Sequence, residues 1–348
     1  MYTHIEDNIY TIPVPLPGNP LKCLNSYVIK DGKRSLVIDT GFRMPECREA
    51  LTTGLAELGI DMNKADIFLT HLHSDHSGLA PELASPSSKV YISREDGERI
   101  LHGLVSNANL RYAEYLSDGF SEEELTHLND SPSMKYSQDK PIEFTYVADG
   151  DMLSYGGHKL QVIETPGHTP GHICLYDKAG KVMFLGDHVL FNITPNITTW
   201  PNFSDPLGHY VHSLMDISIY DVRVPLPGHR QVTGTMAERI GTIIEHHGIR
   251  IREMLDIMDA CPGLTAYDLS GRMTWRVRGK SRGSPWARRR RIWSTSCAAA
   301  ARAGSVTAGS GAITRTETAH MGKKYLSLPS QCSASSWCWP LPLSSSSP

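Results

Sequence analysis

Four times along this chain an apolar run ends in a tight turn that delivers histidine or aspartate, and this repetition limits the fold more than any other feature. Ile67-Phe68-Leu69 runs into Thr70-His71-Leu72-His73-Ser74-Asp75-His76, and Val162-Ile163-Glu164 into Thr165-Pro166-Gly167-His168. Val182-Met183-Phe184-Leu185 runs into Gly186-Asp187, and Val222 to Leu226 into Pro227-Gly228-His229. Short apolar runs bounded by Gly and Pro read as buried strands, and rigid strand ends are where loops that carry function are held. Side chains delivered this way meet only if the fold gathers these strand ends at one edge.

The residue types say what they would do there. Imidazole nitrogen and carboxylate oxygen hold Zn²⁺ or a similar cation in open catalytic sites. If Ala65 to Thr70 is a strand, His71 and His73 point the same way at period two and converge on one ion. Asp75 and His76 lie past the turn and can serve a second ion, and two metals about 3.5–4 Å apart are a hydrolytic device. One histidine among the chain's sixteen would ordinarily be a surface or satisfied core residue. Several motifs in order share little of that risk.

His71-x-His73-x-Asp75-His76, Thr165-Pro-Gly-His168, Gly186-Asp187 and Pro227-Gly-His229 resemble, in order and approximate spacing, the metal motifs of the metallo-β-lactamase superfamily. Leu36-Val37-Ile38-Asp39-Thr40-Gly41 resembles that family's first motif, and the resemblance covers roughly residues 8 to 260. It implies an α/β fold, an αββα sandwich of two mixed sheets flanked by helices. It also implies that His71, His73 and His168 hold one metal, that Asp75, His76 and His229 hold the other, and that Asp187 bridges them. Asp39 would orient ligands through hydrogen bonds rather than bind metal.

From that resemblance follows a binuclear hydrolase with two divalent ions, Zn²⁺ first and Fe²⁺ or Mn²⁺ as alternatives, whose bridging hydroxide attacks a carbonyl or phosphoryl centre. Asp75 is the candidate catalytic proton acceptor, a role ranked below its ligand role. Members that hydrolyse β-lactams generally lack an aspartate at the position of Asp187, whereas glyoxalase II-like thioesterases and ribonuclease Z-like nucleases carry it. Asp187 to Ile197 is similar to a stretch of the small glyoxalase II-like hydrolases. The expected substrate is therefore a small thioester or other carboxylic ester. A phosphodiesterase or endoribonuclease is the alternative, and a persulfide dioxygenase-like oxidoreductase with one iron comes after it. Nucleic acid is disfavoured because the body of the chain is acidic.

The remaining histidines match no ligand position. His172, in the repeated Thr169-Pro170-Gly171-His172, reads as a site neighbour or structural residue, His188, His209 and His212 as ordinary residues, and His246-His247 as the solvated face of a helix. Strands are expected at Ile9–Pro13, Ser26–Ile29, Ser35–Asp39, Lys89–Ile92, Ile142–Val147, Lys159–Glu164, His172–Tyr176, Lys181–Leu185 and Val222–Leu226, with a helix at Glu46–Leu58. The expected catalytic domain is 1–235. Within it, 93–140 form a helical insertion with segments at Arg94–Leu104, Ala108–Leu116 and Ser121–Leu128, the last opened by a Ser121/Glu124 capping box. Tyr112, Tyr115 and Tyr136 there either select substrate or are plain scaffold. Trp200 and Phe203 are a second candidate pocket wall.

Residues 236–275 are expected to form C-terminal helices, with Leu264 to Trp275 resembling the start of a winged-helix-like region of some family members. After that the composition breaks. The chain carries 34 Lys+Arg and 37 acids, of which twelve and one lie in 276–348, so the preceding part holds 22 against 36, a formal −14. Arg288 to Arg291, the Ala298 to Ala301 run and Ser344 to Ser347 have no amphipathic period and build no core. This tail is expected to be disordered or the product of a reading-frame change near Arg276–Ser284; an electrostatic arm is the other reading. Seven scattered cysteines without C-x-x-C spacing fit reduced thiols. Met1 to Asn8 has neither the basic nor the apolar part of a signal peptide, and no run of eighteen apolar residues is present, so the expected location is cytoplasmic, away from membranes. Oligomeric state is not legible.

Overall fold

The computed structural model describes residues 1–102, 112–113, 115–125, 135–137 and 140–274. The rest of the expected insertion, the Glu124 side chain of its capping box and the 276–348 tail lie outside the described residues. Two mixed sheets pack face to face. The first has seven strands in chain order: β1 (Thr3–Glu6), β2 (Ile9–Pro15), β3 (Cys23–Ile29), β4 (Ser35–Ile38), β5 (Ala65–Phe68), β6 (Val90–Ser93) and β7 (Thr145–Val147). Its first four strands pair antiparallel and the last four parallel. The second sheet, from edge to edge, is β12 (Val224–Pro227), β11 (Val182–Gly186), β10 (Ile173–Asp177), β9 (His158–Glu164) and β8 (Met152–Tyr155). Only its β11–β12 pair is parallel.

Side chains alternate across each strand, so one strand feeds two cores. Leu36, Ile38, Phe68, Leu160, Val162, Leu175 and Phe184 meet between the sheets. Val37, Ile67 and Ile92 face outward from the first sheet onto Cys47, Leu51 and Leu55, a one-sided i, i+4, i+8 stripe of helix α1 (Pro45–Glu57). Ile163, Cys174, Met183 and Leu185 face outward from the second sheet onto α6 (Pro206–Ile217), α7 (Met236–Ala260) and α8 (Ala266–Arg272). The layers therefore run helix, sheet, sheet, helix. Short helices α2 (Ser74–Ser77), α3 (Ala80–Leu83), α4 (Arg94–Leu101) and α5 (Glu122–Leu125) complete the described elements, with a 3₁₀ turn at Met62–Lys64.

Three elements carry no sequence signature. β1 and β8 are edge strands with largely solvated side chains, so they lack the apolar alternation that marks a strand. Helix α6 begins on Asp205, whose carboxylate accepts the Gly208 N–H at 2.9 Å, and its Gly208, His209 and His212 obscure the helical period. The expectation that His246-His247 face solvent holds only in part: His247 is 1% exposed and meets the Tyr210 ring edge-on at 5.7 Å, because α7 packs along α6. Among the described residues no helix is long and apolar enough to cross a membrane.

Candidate metal centre

The ends of β4, β5, β9, β11 and β12 open at one edge of the sandwich, and the loops there carry His71, His73, Asp75, His76, His168, Asp187 and His229 into one buried cluster. Three groups have ligand atoms all within 4.8 Å of one another: His71, His73 and His168; His71, His76 and Asp187; and Asp75, His76 and His229. Nitrogens face nitrogens. His71 Nε2 and His168 Nε2 each lie 3.0 Å from His73 Nδ1, and His76 Nε2 lies 3.2 Å from His229 Nε2. Asp187 divides its oxygens, Oδ1 lying 3.5 Å from both His76 Nε2 and His229 Nε2, and Oδ2 3.6 Å from His168 Nε2. Asp75 Oδ2 is 3.4 Å from His229 Nε2.

Outer partners decide which nitrogen of each ring is free. His168 Nδ1 donates to the Asn196 carbonyl at 2.6 Å and His229 Nδ1 to the Cys23 carbonyl at 2.7 Å. A carbonyl only accepts, so each Nδ1 carries a proton and Nε2 is the nitrogen that faces inward, the one available to a metal. His76 Nδ1 donates to Asp39 Oδ2 at 2.7 Å. Thr70 Oγ1 donates to the same carboxylate at 2.8 Å and accepts from His71 Nδ1 at 2.9 Å. Asp39 also accepts the Thr70 N–H, at 2.9 Å. It touches the His76 ring from behind, reaches His71 through Thr70, and stands in none of the three groups.

Lone pairs aimed at one another repel unless a cation lies between them. Two ligands on one tetrahedral ion at about 2.0–2.1 Å stand about 3.3 Å apart, which matches the separations here. Asp187 Oδ1 is buried without a hydrogen-bond partner among the described residues. A Cβ on Gly228 would come within 2.8 Å of His76 Cε1 and 2.9 Å of Asp187 Oδ1, so glycine there keeps the space around these ligands open. The residues present thus fit a divalent metal centre.

Electrostatics split the cluster in two. Burial, with neighbouring imidazoles adding to it, holds His71 well below the ordinary histidine value and His73 at about 3; burial also lowers His168, against the opposing pull of Asp187. At His76 burial is outweighed by the charges of Asp39 and Asp187, and at His229 by Asp187 and Asp75, so both move up. Burial alone would raise the two carboxyls, but His229 and His76 hold Asp187 well below the ordinary value and Asp75 at about 2. One half offers neutral lone pairs, while the other draws positive charge inward.

A model of the metallo-beta-lactamase superfamily matches residues 24–229. The chain belongs to the metallo-beta-lactamase superfamily. Among curated relatives, a beta-lactamase-like protein 2 homolog of Caenorhabditis elegans is 26% identical over 294 residues, 82% of this chain and 82% of that protein. The lactamase-like protein aptB of Emericella nidulans is 22% identical over 272 residues, 73% of this chain and 71% of its own. An atrochrysone carboxyl ACP thioesterase of the same organism is 26% identical over 244 residues, covering 70% of this chain and 63% of that protein. The chain spans less than two thirds of the length of that thioesterase and of several other curated relatives it matches. Among solved structures, a metallo-beta-lactamase family protein of Thermus thermophilus superposes with a TM-score of 0.69 at 27% identity, over 84% of this chain and 91% of that one. A beta-lactamase domain protein of Burkholderia ambifaria gives 0.71 at 19% identity, over 86% of this chain and 87% of that one, a likeness of fold alone.

Other expected residues separate around this superfamily site. His172 sits behind it, its Nε2 accepting the Asp187 N–H at 3.2 Å and its Nδ1 donating to Thr165 Oγ1 at 2.7 Å. His188 is buried between His172 and Tyr210. Trp200 is buried with its ring 5.8 Å from that of His73, while Phe203 stacks on His209 of α6 at 4.9 Å. Tyr136 packs on Phe42, and Tyr115 on Phe120, which meets Tyr267 of α8, so these two tyrosines pack into the scaffold; Tyr112 is half-buried. Missing from the sequence reading is Asp96 in the first turn of α4, fully buried and held up at about 6 by burial against its hydrogen-bond donors. An acid in the first turn of a helix is ordinary, and nothing in the sequence separates this one from Glu95.

Proposed function

We propose that this chain is a binuclear metal-dependent hydrolase of a thioester or other carboxylic ester-like bond. The observation that carries the reading is Asp187, whose two oxygens reach separate sets of histidines from one buried position. On that basis His71, His73 and His168 are assigned to one cation, Asp75, His76 and His229 to a second, and Asp187 to both. Two such cations would supply a nucleophilic water with its pKa drawn towards neutrality and a Lewis acid for the carbonyl oxygen. The chain's own residues do the rest. Asp39, Asn196 and Cys23 fix the rings so that lone pairs face inward, the buried strand ends exclude bulk water, and Asp75, ionised at neutral pH, is the assigned proton acceptor. Trp200 walls the site on the His73 side. The preference for an acyl substrate is supported by the thioesterase among the relatives and by the acidic body of the chain, which suits a polyanion poorly.

The test is turnover of acyl-thioesters, lactones, phosphodiesters and short RNAs by the full chain loaded with Zn²⁺, Fe²⁺ or Mn²⁺. Hydrolysis of acyl substrates, lost on chelation and restored by metal, is expected. Turnover confined to phosphodiesters or RNA would overturn the substrate class. No turnover with any metal would overturn the hydrolase.

A further inference from the structure

Asp96 belongs to no ligand set, and its carboxylate bonds neighbours of the histidines rather than an imidazole. Its Oδ2 accepts the Leu72 N–H at 2.9 Å and the Thr169 hydroxyl at 2.6 Å, and its Oδ1 accepts the Gly171 N–H at 2.8 Å. Leu72 lies between His71 and His73, Thr169 follows His168, and Gly171 precedes the histidine that receives the Asp187 N–H. Three bonds to one buried group thus join the loop after β5 to the loop after β9.

These loops leave different sheets, so no strand pairing fixes their separation. One backbone bond, Ile173 N to Thr70 O at 2.9 Å, ties their roots. Asp96 ties their tips. The fit is tight on the far side as well: a Cβ on Gly171 would collide with Ser93 Oγ and lie 2.7 Å from Asp96 N. A metal site tolerates displacements of about 0.5 Å in its ligands, so a group that sets the spacing of two ligand loops sets affinity too.

We infer that Asp96 is a positioning residue, a bracket that holds His71 and His73 against His168 and thereby fixes the affinity of that half of the centre for a divalent cation. The inference rests on the metal-centre reading above and goes beyond it by separating the two halves. Asp75, His76 and His229 lie on loops Asp96 does not join to each other. Their affinity is independent of it.

Asp96→Asn keeps the size of the side chain but sets an NH₂ against one of the two loops, so a donor there faces a donor. The full chain, stripped by dialysis against chelator and titrated with Zn²⁺ against a chromophoric competitor, is expected to show one binding step weakened about 10–100-fold and the other unchanged. On a His168→Ala background D96N should add little further weakening, whereas on a His229→Ala background its full effect should persist. Thr169→Val, which removes one of the three donors, should weaken the same step less and serves if D96N does not fold. Unchanged affinity in both variants, or equal weakening of both steps in parallel with a lowered Tm, would overturn the inference. Wild-type protein that binds no Zn²⁺ would instead overturn the metal-centre reading beneath it.

Discussion

The two ends of the sandwich both bury charge, and they do it in opposite ways. At the end away from the histidines, Asp66 at the start of β5 accepts from Arg34 Nε at 2.8 Å, Tyr155 OH at 2.5 Å and Lys89 N at 2.8 Å, tying one sheet to the other. Beside it His158 bridges Asp177 and Asn8, each at 2.7 Å, and Asn8 donates to the Lys30 and Gly156 carbonyls. Here each side chain meets a partner of the complementary kind. At the other end five imidazoles and two carboxylates converge with acceptor facing acceptor. The first arrangement is complete as protein; the second fits a divalent metal centre. Polar clusters of the same composition are told apart by whether their protons and lone pairs match, not by how many charged residues they hold.

The largest effect that would break this contrast is on stability. Adding Zn²⁺ to the metal-stripped chain at about 1,000 times its Kd should stabilise it by about 4 kcal/mol, read by chemical denaturation. A gain near zero would make the histidine end as self-sufficient as the Asp66 end. Next comes the buried carboxyl at about 6. Asp96 has a folded value above the ordinary 3.8, so its contribution to stability is fully present below about 3.8 and lost as pH rises through about 6. Wild type should therefore lose about 3 kcal/mol relative to Asp96→Asn between pH 3.5 and pH 7. Parallel stability curves for the two proteins would refute it.

Asp39→Asn keeps the shape but weakens the acceptor behind His76 and Thr70. Metal affinity should fall about 10–100-fold with Tm of the stripped protein little changed. Tyr155→Phe should do the reverse, lowering stability by about 1–3 kcal/mol by removing a donor from buried Asp66 while metal content and turnover stay as in wild type. Loss of metal in Tyr155→Phe would dissolve the distinction between the ends. The smallest effect is in protons. His76 and His229 are raised, so a cation entering their half displaces protons and binds more tightly as pH rises; His71 and His73 are lowered, already neutral at pH 7, and release none. Titration calorimetry in buffers of differing ionisation enthalpy should find proton release for one step only.

Much of this contrast is legible in the residues themselves. The αββα class and its two mixed sheets are what the metallo-β-lactamase resemblance implies, and the apolar strands fit it, since the same alternation that puts Leu36 and Ile38 between the sheets puts Val37 against α1. The turn residues Pro227-Gly228 and Pro166-Gly167 mark where strands stop, and so where side chains emerge. Edge strands β1 and β8 escape because solvent, not a core, meets their side chains, and α6 escapes because polar His209 and His212 interrupt its period. His247 reads as surface from a helix seen alone and is buried by the helix beside it. Asp96 escapes for a different reason. Its significance lies in three donors from residues 24 and more than 70 positions away, and no local pattern records such partners.

The sequence by itself determined which side chains could meet a cation, because ligand chemistry is local to a residue and a strand end is local to a few. Only the tertiary structure decided that the ends of five strands from two sheets share one edge, that Asp187 reaches both sets of histidines, and that Asp96 holds two of the loops in place. Those facts depend on distances between residues far apart in the chain, and such distances are set by how whole sheets pack.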